Sequence, residues 1–475
     1  MKKHINIIIF VTLFISTVSI IAILIARGYN LAGNEIKESG ILNIESKPKG
    51  AKITINGESK GTTPDKIELI SGKYEIKIAK DGYSQWQKEI HVEPGIVSDL
   101  TVSLFPEDLK LEQITFTNID KAFFSDTGDI IIYTILEGNN KGIWETKIEK
   151  SIFDIASSPS TKLSDIEVIP EECLNSSNYD IQFSQTNTKI ILSCNLDTHT
   201  LFKLINAQNP SEEPINLNSE LGFNPSNINF AYNSDNLLIT NGNLYLNYNI
   251  GSKAINFIKL EENKDDFIYA FIKDNLLVLE YNYDKSSRFL RTISANLNRT
   301  DINLSEEIDI TRITGMTGSY DDSYIAINAD KTYILDIENF SSEILLLSEN
   351  TLDIISWSPD GKSLLYIEGD ILKSAFIKEL PDDGIKLEIS NIINNYNNEE
   401  NSIKWNHNSE QLVVYNTEDQ QIYSIYKDGT NKKILFNGSL TNNNTYVISE
   451  NETFLVILTQ DEGINSNLYS VKLAI

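Results

Sequence analysis

A repeated pattern over residues 107–475 constrains the fold of this chain more than any other feature. Each copy has an aromatic residue that closes one short strand, a polar turn rich in Asp, Asn or Gly, and then a strongly apolar strand. A unit of this size cannot bury both of its faces alone, so neighbouring copies are expected to stack on each other. The aromatic anchors are Phe124, Phe183, Phe230, Phe271, Trp357 and Trp405, with a weaker copy at Tyr320 and a degenerate one at residues 454–457.

The spacing of the anchors, about 40 to 60 residues, is typical of β-propeller blades, which are four-stranded meanders arranged around a channel. Residues 107–475 divide into about 46 residues per blade for eight blades and about 53 for seven. The spacing favours eight, and seven stays open. Residues 109–116 are a candidate closing strand for the last blade, and residues 151–178 are interpreted as an insertion.

The clearest copy reads Trp-Ser-Pro-Asp-Gly-Lys from Trp357 to Lys362. It is similar to the repeat of TolB-like and WD40-like β-propellers. Asp360 and Gly361 are expected to build a hairpin turn, because Asp bonds its own backbone and Gly accepts positive φ. A calcium site is the other interpretation of such turns, but no D-x-[DN]-x-[DN]-G loop supplies six to eight oxygens. Trp357 and Trp405 are expected to be core wedges between blades rather than a ligand platform.

A smaller unit precedes the repeats and alternates apolar and polar residues in period two. Tyr74, Ile76 and Ile78 alternate with charged residues, which predicts strands with one packed face and one wetted face. Asn56 and Gly57 favour a type I′ hairpin turn, in which both central residues need positive φ. The pattern predicts a small antiparallel β-sandwich.

The turn motifs of this unit occur in an order that resembles a PEGA domain, over residues 41–105. The motifs are Ser46-Lys47-Pro48-Lys49-Gly50-Ala51, Asn56-Gly57, Gly61-Thr62-Thr63-Pro64, Gly72-Lys73-Tyr74 and Gly82-Tyr83. The resemblance implies a bacterial surface protein in which this module is a spacer or a surface-binding unit. The boundaries assigned are residues 40–105 for the PEGA-like sandwich and 107–475 for the propeller.

The amino terminus carries an apolar segment, residues 5–26, after a short flank, residues 1–4, that contains Lys2 and Lys3. About 20 apolar residues suffice to span a bilayer, and the flanking lysines favour a cytoplasmic amino terminus. One transmembrane helix, a linker over residues 27–39 and an all-β ectodomain are therefore expected. A cleaved signal peptide is the alternative, although no good cleavage site follows. Asn34 stands where a lipidated cysteine would be needed.

The excess of acidic residues is concentrated in residues 100–475. The chain has a formal charge of −27. Residues 1–40 hold four basic and two acidic side chains, and residues 41–99 hold nine of each, which leaves −29 for residues 100–475. Such a field repels nucleic acid and anionic polymers and favours basic peptides or cations as partners. A merely soluble acidic surface is the simpler interpretation.

The chain has two cysteines, Cys173 and Cys194, both on the side predicted to be extracytoplasmic. A disulfide persists in that environment. Two buried free thiols are the alternative that the sequence leaves open.

No catalytic, cofactor-binding or metal-binding residues are predicted, and the binding residues are unknown from the sequence. The chain has no G-x-S-x-G, H-E-x-x-H, P-loop or G-x-G-x-x-G motif. Glycoside hydrolysis by two carboxylates from different blades leaves no local signature, so it stays open.

These observations predict a membrane-anchored, extracytoplasmic binding or scaffold protein of the bacterial cell envelope, and no enzyme. Its propeller would recognise a protein or a cell-wall component, without cofactor or nucleic acid. An envelope assembly or sensor protein resembling TolB is the alternative, and a hydrolase with its site in the channel is a weaker one.

Overall fold

The computed structural model describes residues 10–19, 29–32, 35–148, 159–231, 234–242, 244–259, 269–272, 275–281, 288–294, 299–303, 308, 313–319, 323–336, 344–380, 384–398, 400–461 and 465–473. The chain divides into two compact units, Met1–Lys110 with Lys472–Ile475 and Leu111–Val471.

A helix, α1, occupies residues 10–19 within the predicted transmembrane segment. The remainder of the predicted span, residues 5–9 and 20–26, lies outside the described residues. Among the helices that the structure describes, none has both the length and the apolar character needed to cross a bilayer. The transmembrane anchor therefore stays a prediction.

The first unit contains eight strands in two four-stranded sheets. The strands are β1 (Tyr29–Ala32), β2 (Glu35–Lys47), β3 (Lys52–Ile55), β4 (Glu58–Thr62), β5 (Asp65–Ile70), β6 (Gly72–Ala79), β7 (Trp86–Val92) and β8 (Val97–Ser103). One sheet has the order β4-β3-β6-β7, and the other places β2 between β5 and β8 with β1 pairing β2 as well.

The packing of this unit follows the alternation seen in the sequence. Ile53, Ile76 and Ile78 are fully buried, whereas the neighbouring Lys52 and Glu75 are exposed. Asn56 and Gly57 have φ of 48° and 83°, as a type I′ turn requires. The expectation of a wholly antiparallel sandwich is wrong for one pair, because β2 and β8 are parallel. A parallel pair needs a long crossover, which is supplied here by strands β3 to β7 between β2 and β8.

The second unit contains the remaining strands and two short α-helices. The strands of its first half are β9 (Leu111–Gln113), β10 (Ala122–Phe124), β11 (Ile130–Ile135), β12 (Gly142–Lys147), β13 (Thr161–Ser164), β14 (Tyr179–Phe183), β15 (Lys189–Asn195), β16 (Thr200–Asn206), β17 (Ile215–Asn216), β18 (Asn227–Phe230), β19 (Asn236–Asn241), β20 (Leu244–Asn249), β21 (Ile255–Lys259), β22 (Tyr269–Ile272), β23 (Asn275–Tyr281), β24 (Arg288–Ser294) and β25 (Arg299–Asn303). Those of its second half are β26 (Gly315–Gly318), β27 (Tyr324–Asn328), β28 (Thr332–Asp336), β29 (Ile344–Ser348), β30 (Asp353–Trp357), β31 (Ser363–Glu368), β32 (Ile371–Leu380), β33 (Gly384–Ile393), β34 (Ser402–Trp405), β35 (Gln411–Asn416), β36 (Gln421–Tyr426), β37 (Lys433–Asn437), β38 (Tyr446–Ile448), β39 (Phe454–Asp461) and β40 (Asn465–Lys472). The helices are α2 (Glu171–Ser176) and α3 (Leu217–Leu221), and a 3-10 turn covers Ile166–Val168.

Strands β10 to β37 form seven consecutive four-stranded sheets, each made of four strands in chain order. An eighth sheet in the described residues has the order β38-β39-β40-β9. The strand that opens this unit therefore pairs with the strand that ends it, with Leu111 opposite Val471. This arrangement agrees with the closing strand predicted over residues 109–116.

Alternate residues of the second strands β11, β15 and β31 pack against the sheets on their two sides. Ile190 and Leu192 join the cluster shared with the first sheet, and Ile191 joins the one shared with the third. A strand buried on both faces needs a continuous apolar run, which explains the Ile- and Leu-rich strand of every copy. The first sheet also packs against the last, through a cluster that contains Ile131 and Val456. The sheets therefore close into a ring, and the predicted β-propeller is confirmed.

The first strands lie on the inside of this ring. The first strands β22 and β26 of neighbouring sheets contact each other, and the closing strand β9 is the outermost strand of its sheet. The anchors Phe124, Phe183, Phe230, Phe271, Trp357 and Trp405 lie on first strands, and Tyr320 of the weaker copy lies outside the described residues.

The predicted insertion over residues 151–178 is wrong in part. Residues 151–158 lie outside the described residues, and β13 is the fourth strand of the first sheet. Only the 3-10 turn and α2 are additional to the blade pattern. Cys173 of α2 and Cys194 of β15 form a disulfide, with their Cα atoms 5.9 Å apart.

A buried serine directly after the first strand fixes the turn in five of the copies. Its Oγ accepts a hydrogen bond from the backbone N–H five residues later, and its own backbone N–H donates to the carbonyl of that residue. These serines are Ser125, Ser184, Ser319, Ser358 and Ser449. Asp360 accepts from the N–H of Lys362, and Gly361 has φ of 73°, as the turn prediction requires.

We expect Ser358→Ala to lower the free energy of unfolding by about 1–3 kcal/mol, because it leaves the buried N–H of Ser363 without its acceptor. Urea unfolding of the full chain measures this change. Ser363→Ala is the matched control, since the Ser363 Oγ is buried with no hydrogen-bond partner in the described part of the chain. Equal losses for the two variants would contradict the role of the serine.

Candidate functional site

Two cavities open on the inner strands of the ring. Cavity A has a volume of about 540 Å³, and its wall includes Asp120, Lys121, Tyr179 and Asn444. Cavity B has a volume of about 530 Å³, and its wall includes Asp126, Trp357, Trp405 and Glu450. Phe124 of β10 and Lys404 of β34 line both. These volumes lie in the range of small-molecule sites.

Lys404 is partly buried among aromatic rings and backbone carbonyls. Its Nζ lies 4.8 Å from the ring centroid of Tyr446 and 5.7 Å from that of Phe124. It donates hydrogen bonds to the carbonyl oxygens of Tyr446 at 2.7 Å and Asn444 at 3.0 Å. Burial lowers the pKa of Lys404 to about 8, because removal from water disfavours the charged amine.

Lys121 lies in the wall of cavity A with a similar backbone environment. Its Nζ donates to the carbonyls of Ser177 and Tyr179 and lies 4.3 Å from the ring centroid of Tyr179. Burial lowers the pKa of Lys121, and the carboxylates of Asp120 and Asp180 oppose that shift. Lys121 therefore has acidic neighbours, whereas no carboxylate in the described part of the chain affects the pKa of Lys404.

Cavity B has an indole wall with one unpaired donor. Trp405 is partly buried, and its Nε1 has no hydrogen-bond partner within the described ranges. Trp357 is only 2% exposed and donates from Nε1 to the Thr317 carbonyl at 3.3 Å, as a core wedge would. His407 contacts the Ile448 carbonyl through Nε2 at 3.0 Å. Trp405 thus differs from Trp357 because its indole N–H remains available to donate a hydrogen bond.

The turns between first and second strands place acidic residues around one rim of the ring. The first strands of the sheets all run in the same direction relative to the axis of the ring. The turns that follow them therefore lie at the same end of the ring. This acidic rim comprises Asp126, Asp235, Asp360, Glu410 and Glu450. Asp235 and Glu410 pair with Lys189 at 3.2 Å and Lys427 at 2.8 Å. Asp126 and Glu450 are exposed and line the mouth of cavity B.

The described residues contain no group of three His, Cys, Asp or Glu side chains placed to hold a metal ion. The predicted absence of catalytic, cofactor-binding and metal-binding residues stays a prediction. The sequence reasoning missed Lys404. A signal was present, because Lys404 is the only charged residue that directly precedes an aromatic anchor in the copies from Phe124 to Trp405.

Comparison with known proteins identifies the first unit. Residues 39–108 match the model of the PEGA domain, which confirms the resemblance found over residues 41–105. The match covers this module and does not extend to the ring. No curated protein matches the chain.

Several solved structures are similar to the chain at low sequence identity. A eukaryotic initiation factor is 13% identical, with 76% of this chain and 87% of that chain covered and a TM-score of 0.47. The oligogalacturonate lyase of Vibrio parahaemolyticus is 10% identical, with 76% and 98% covered and a TM-score of 0.39. The WD40 domain of SCAP from fission yeast is 8% identical, with 77% and 94% covered and a TM-score of 0.43. The fold described above rests on the strand pairings of this chain.

Proposed function

We propose that this protein is a membrane-anchored, extracytoplasmic binding or scaffold protein of the bacterial cell envelope, and that it is not an enzyme. Its eight-bladed propeller recognises a protein or cell-wall component, and its PEGA module is a spacer or a surface-binding unit. The acidic rim is the observation that carries this proposal. Loops held on a rigid scaffold are the usual place for recognition, and the loops of this rim present negatively charged carboxylates.

The charge distribution gives the partner its chemistry. The net charge of −29 lies on residues 100–475, whereas residues 41–99 are balanced. Exposed Asp126 and Glu450 have no basic side chain within ion-pair distance in the described part of the chain. A basic surface on a protein partner complements such a rim and is attracted from a distance.

The disulfide supports the extracytoplasmic location. Cys173 and Cys194 are 0% and 1% exposed and bonded within the core between the first two blades. Disulfides persist in oxidising compartments and are rare in the cytosol. Together with Lys2 and Lys3 ahead of the apolar segment, this favours an amino terminus in the cytoplasm and both β-units outside.

The test of recognition is a pull-down with the full chain in detergent, against a solubilised envelope extract and against washed peptidoglycan. We expect a defined protein to be retained at low salt and released at high salt, because exposed charge pairs are screened. The double variant Asp126→Asn with Glu450→Gln is expected to lose most of this retention.

The matched control is the double variant Glu137→Gln with Asp197→Asn, which removes two exposed acids from turns at the opposite end of the ring. Equal retention by the two double variants would overturn the assignment to the acidic rim. Retention by peptidoglycan alone, unchanged in both variants, would move recognition away from the propeller.

Location is tested separately by protease treatment of intact spheroplasts that express the full chain. We expect the β-units to be digested while a cytosolic marker is protected. Protection until the membrane is dissolved would contradict the proposed topology.

A further inference from the structure

The ammonium of Lys404 has hydrogen-bonding capacity and charge that the described residues do not satisfy. A lysine ammonium has three N–H donors. Two of them are used by the carbonyls of Asn444 and Tyr446. No described carboxylate lies within 4.0 Å of its Nζ, and burial is the sole cause of its lowered pKa. The charge is therefore held by rings and peptide dipoles, without an anion.

Lys427 is a lysine in a comparable aromatic environment elsewhere in the chain, and it has an acidic partner. Its Nζ lies 4.4 Å from the ring centroid of Phe376, and it is paired with Glu410 at 2.8 Å. Lys404 has the aromatic neighbours without the carboxylate. An anion placed beside Lys404 would supply the missing partner at a position where charge interactions are stronger than in water.

The surroundings of this ammonium are open to a ligand. Phe124, Asn444 and Tyr446, which supply its rings and carbonyls, all line one or both of the cavities. The unpaired Nε1 of Trp405 is a second donor in the wall of cavity B. A cavity with aromatic walls and a few polar groups is the usual form of a small-molecule site.

We propose that the channel holds a binding site for an aromatic carboxylate, in which Lys404 is the cation that pairs with the carboxylate. The flat apolar part of the ligand packs against Phe124, which is partly exposed and lines both cavities. The acidic field of the propeller opposes molecules with several negative charges, so a single carboxylate on an apolar body fits the channel best.

Benzoate is the probe for a free acid, titrated calorimetrically into the full chain in detergent at pH 7. We expect saturable binding that acetate, which lacks the ring, and benzamide, which lacks the charge, do not match. The peptide Gly-Gly-Phe and its carboxy-terminal amide distinguish a chain end from a free acid as the source of the carboxylate. Binding by neither benzoate nor the peptide acid, or equal binding of benzamide, overturns the proposal.

Lys404→Met is expected to weaken binding at least tenfold, and Lys427→Met is expected to leave it within twofold of the unaltered chain. Binding to Lys404→Met that equals the unaltered chain overturns the proposal. If the Lys404→Met variant does not fold, Lys404→Arg is the second variant that tests the role of the cation. It keeps the cation and the ring contacts, and we expect it to retain benzoate binding.

The pH dependence supplies a readout that a structural role would not move. With the pKa of Lys404 at about 8, the affinity for benzoate is expected to fall about tenfold from pH 7 to pH 9, as the amine loses its proton. The titratable groups that line the two cavities are Asp120, Lys121, Tyr179, Asp180, Asp126, His407, Glu450 and, beside the amine, Tyr446.

Lys121 is the group in this set that needs its own variant, because burial lowers its pKa as well. The fall in affinity is expected to persist in Lys121→Met and to disappear in Lys404→Arg, since arginine stays charged throughout this range. The opposite result assigns the anion to Lys121 and overturns the role of Lys404. These titrations need no protein partner, so their failure and the failure of the proposed function are separate results.

Discussion

Replacing Trp357 with alanine is expected to lower the free energy of unfolding by about 3–5 kcal/mol, the range for loss of a large buried aromatic side chain. Trp357 is 2% exposed in the cluster between the fifth and sixth sheets of the ring. Its ring lies 6.3 Å from that of Tyr324, with the planes 17° apart. Strands β27 and β31, which contribute Tyr324 and Leu364 to this cluster, are hydrogen-bonded on both sides, so the cavity left behind cannot collapse fully.

Urea unfolding followed by circular dichroism measures this loss. Trp357→Phe separates packing from hydrogen bonding, because it keeps an aromatic ring and loses the bond to the Thr317 carbonyl. Trp405→Phe is the matched control at the equivalent anchor, where the indole N–H has no partner in the described residues. We expect Trp405→Phe to lower the free energy of unfolding by less than Trp357→Phe does. A loss below about 1 kcal/mol for Trp357→Ala would contradict its role as a wedge.

Removing the disulfide is expected to cost about 3 kcal/mol of stability, as for a closed loop of this length. Cys173 and Cys194 are 21 residues apart, and both are buried in the cluster shared by the first two sheets. The double variant with alanine at both positions avoids burying new hydroxyl groups. Its unfolding midpoint in urea should lie below that of the unaltered chain under oxidising conditions.

Reduction provides the control for this prediction. The unaltered chain with a reductant is expected to approach the stability of the double alanine variant, and the variant itself should not respond to the reductant. A variant as stable as the oxidised chain would show that the bond contributes nothing to folding stability.

The local features of the fold were predictable because they depend on neighbouring residues. Asn56 and Gly57 adopt positive φ because asparagine tolerates that conformation and glycine has no Cβ to oppose it. Asp360 and Gly361 form the predicted turn for a similar reason. The serine that follows the first strand in five of the copies was overlooked, although Ser125 and Ser358 occupy the same place in their copies.

The candidate site was much less predictable. Phe124, Lys404 and Tyr446 come from three different blades, and no spacing in the sequence relates them. The acidic rim is likewise a property of the ring, since its residues are distributed over most of the chain. The excess of acid in the repeats could be counted from the sequence, but which of the acidic residues share one end of the ring could not.

The sequence by itself determined the strands, the turns and the repeating unit of this protein, because period-two burial and turn chemistry are properties of short segments. The tertiary structure alone decided the parallel pairing of β2 with β8, the bond between Cys173 and Cys194, and the closure of the ring by β9 and β40. Thr115 and Asn467, 352 residues apart, meet at that closure. Such contacts depend on which surfaces the whole chain brings together, and residues distant in sequence carry no local record of them.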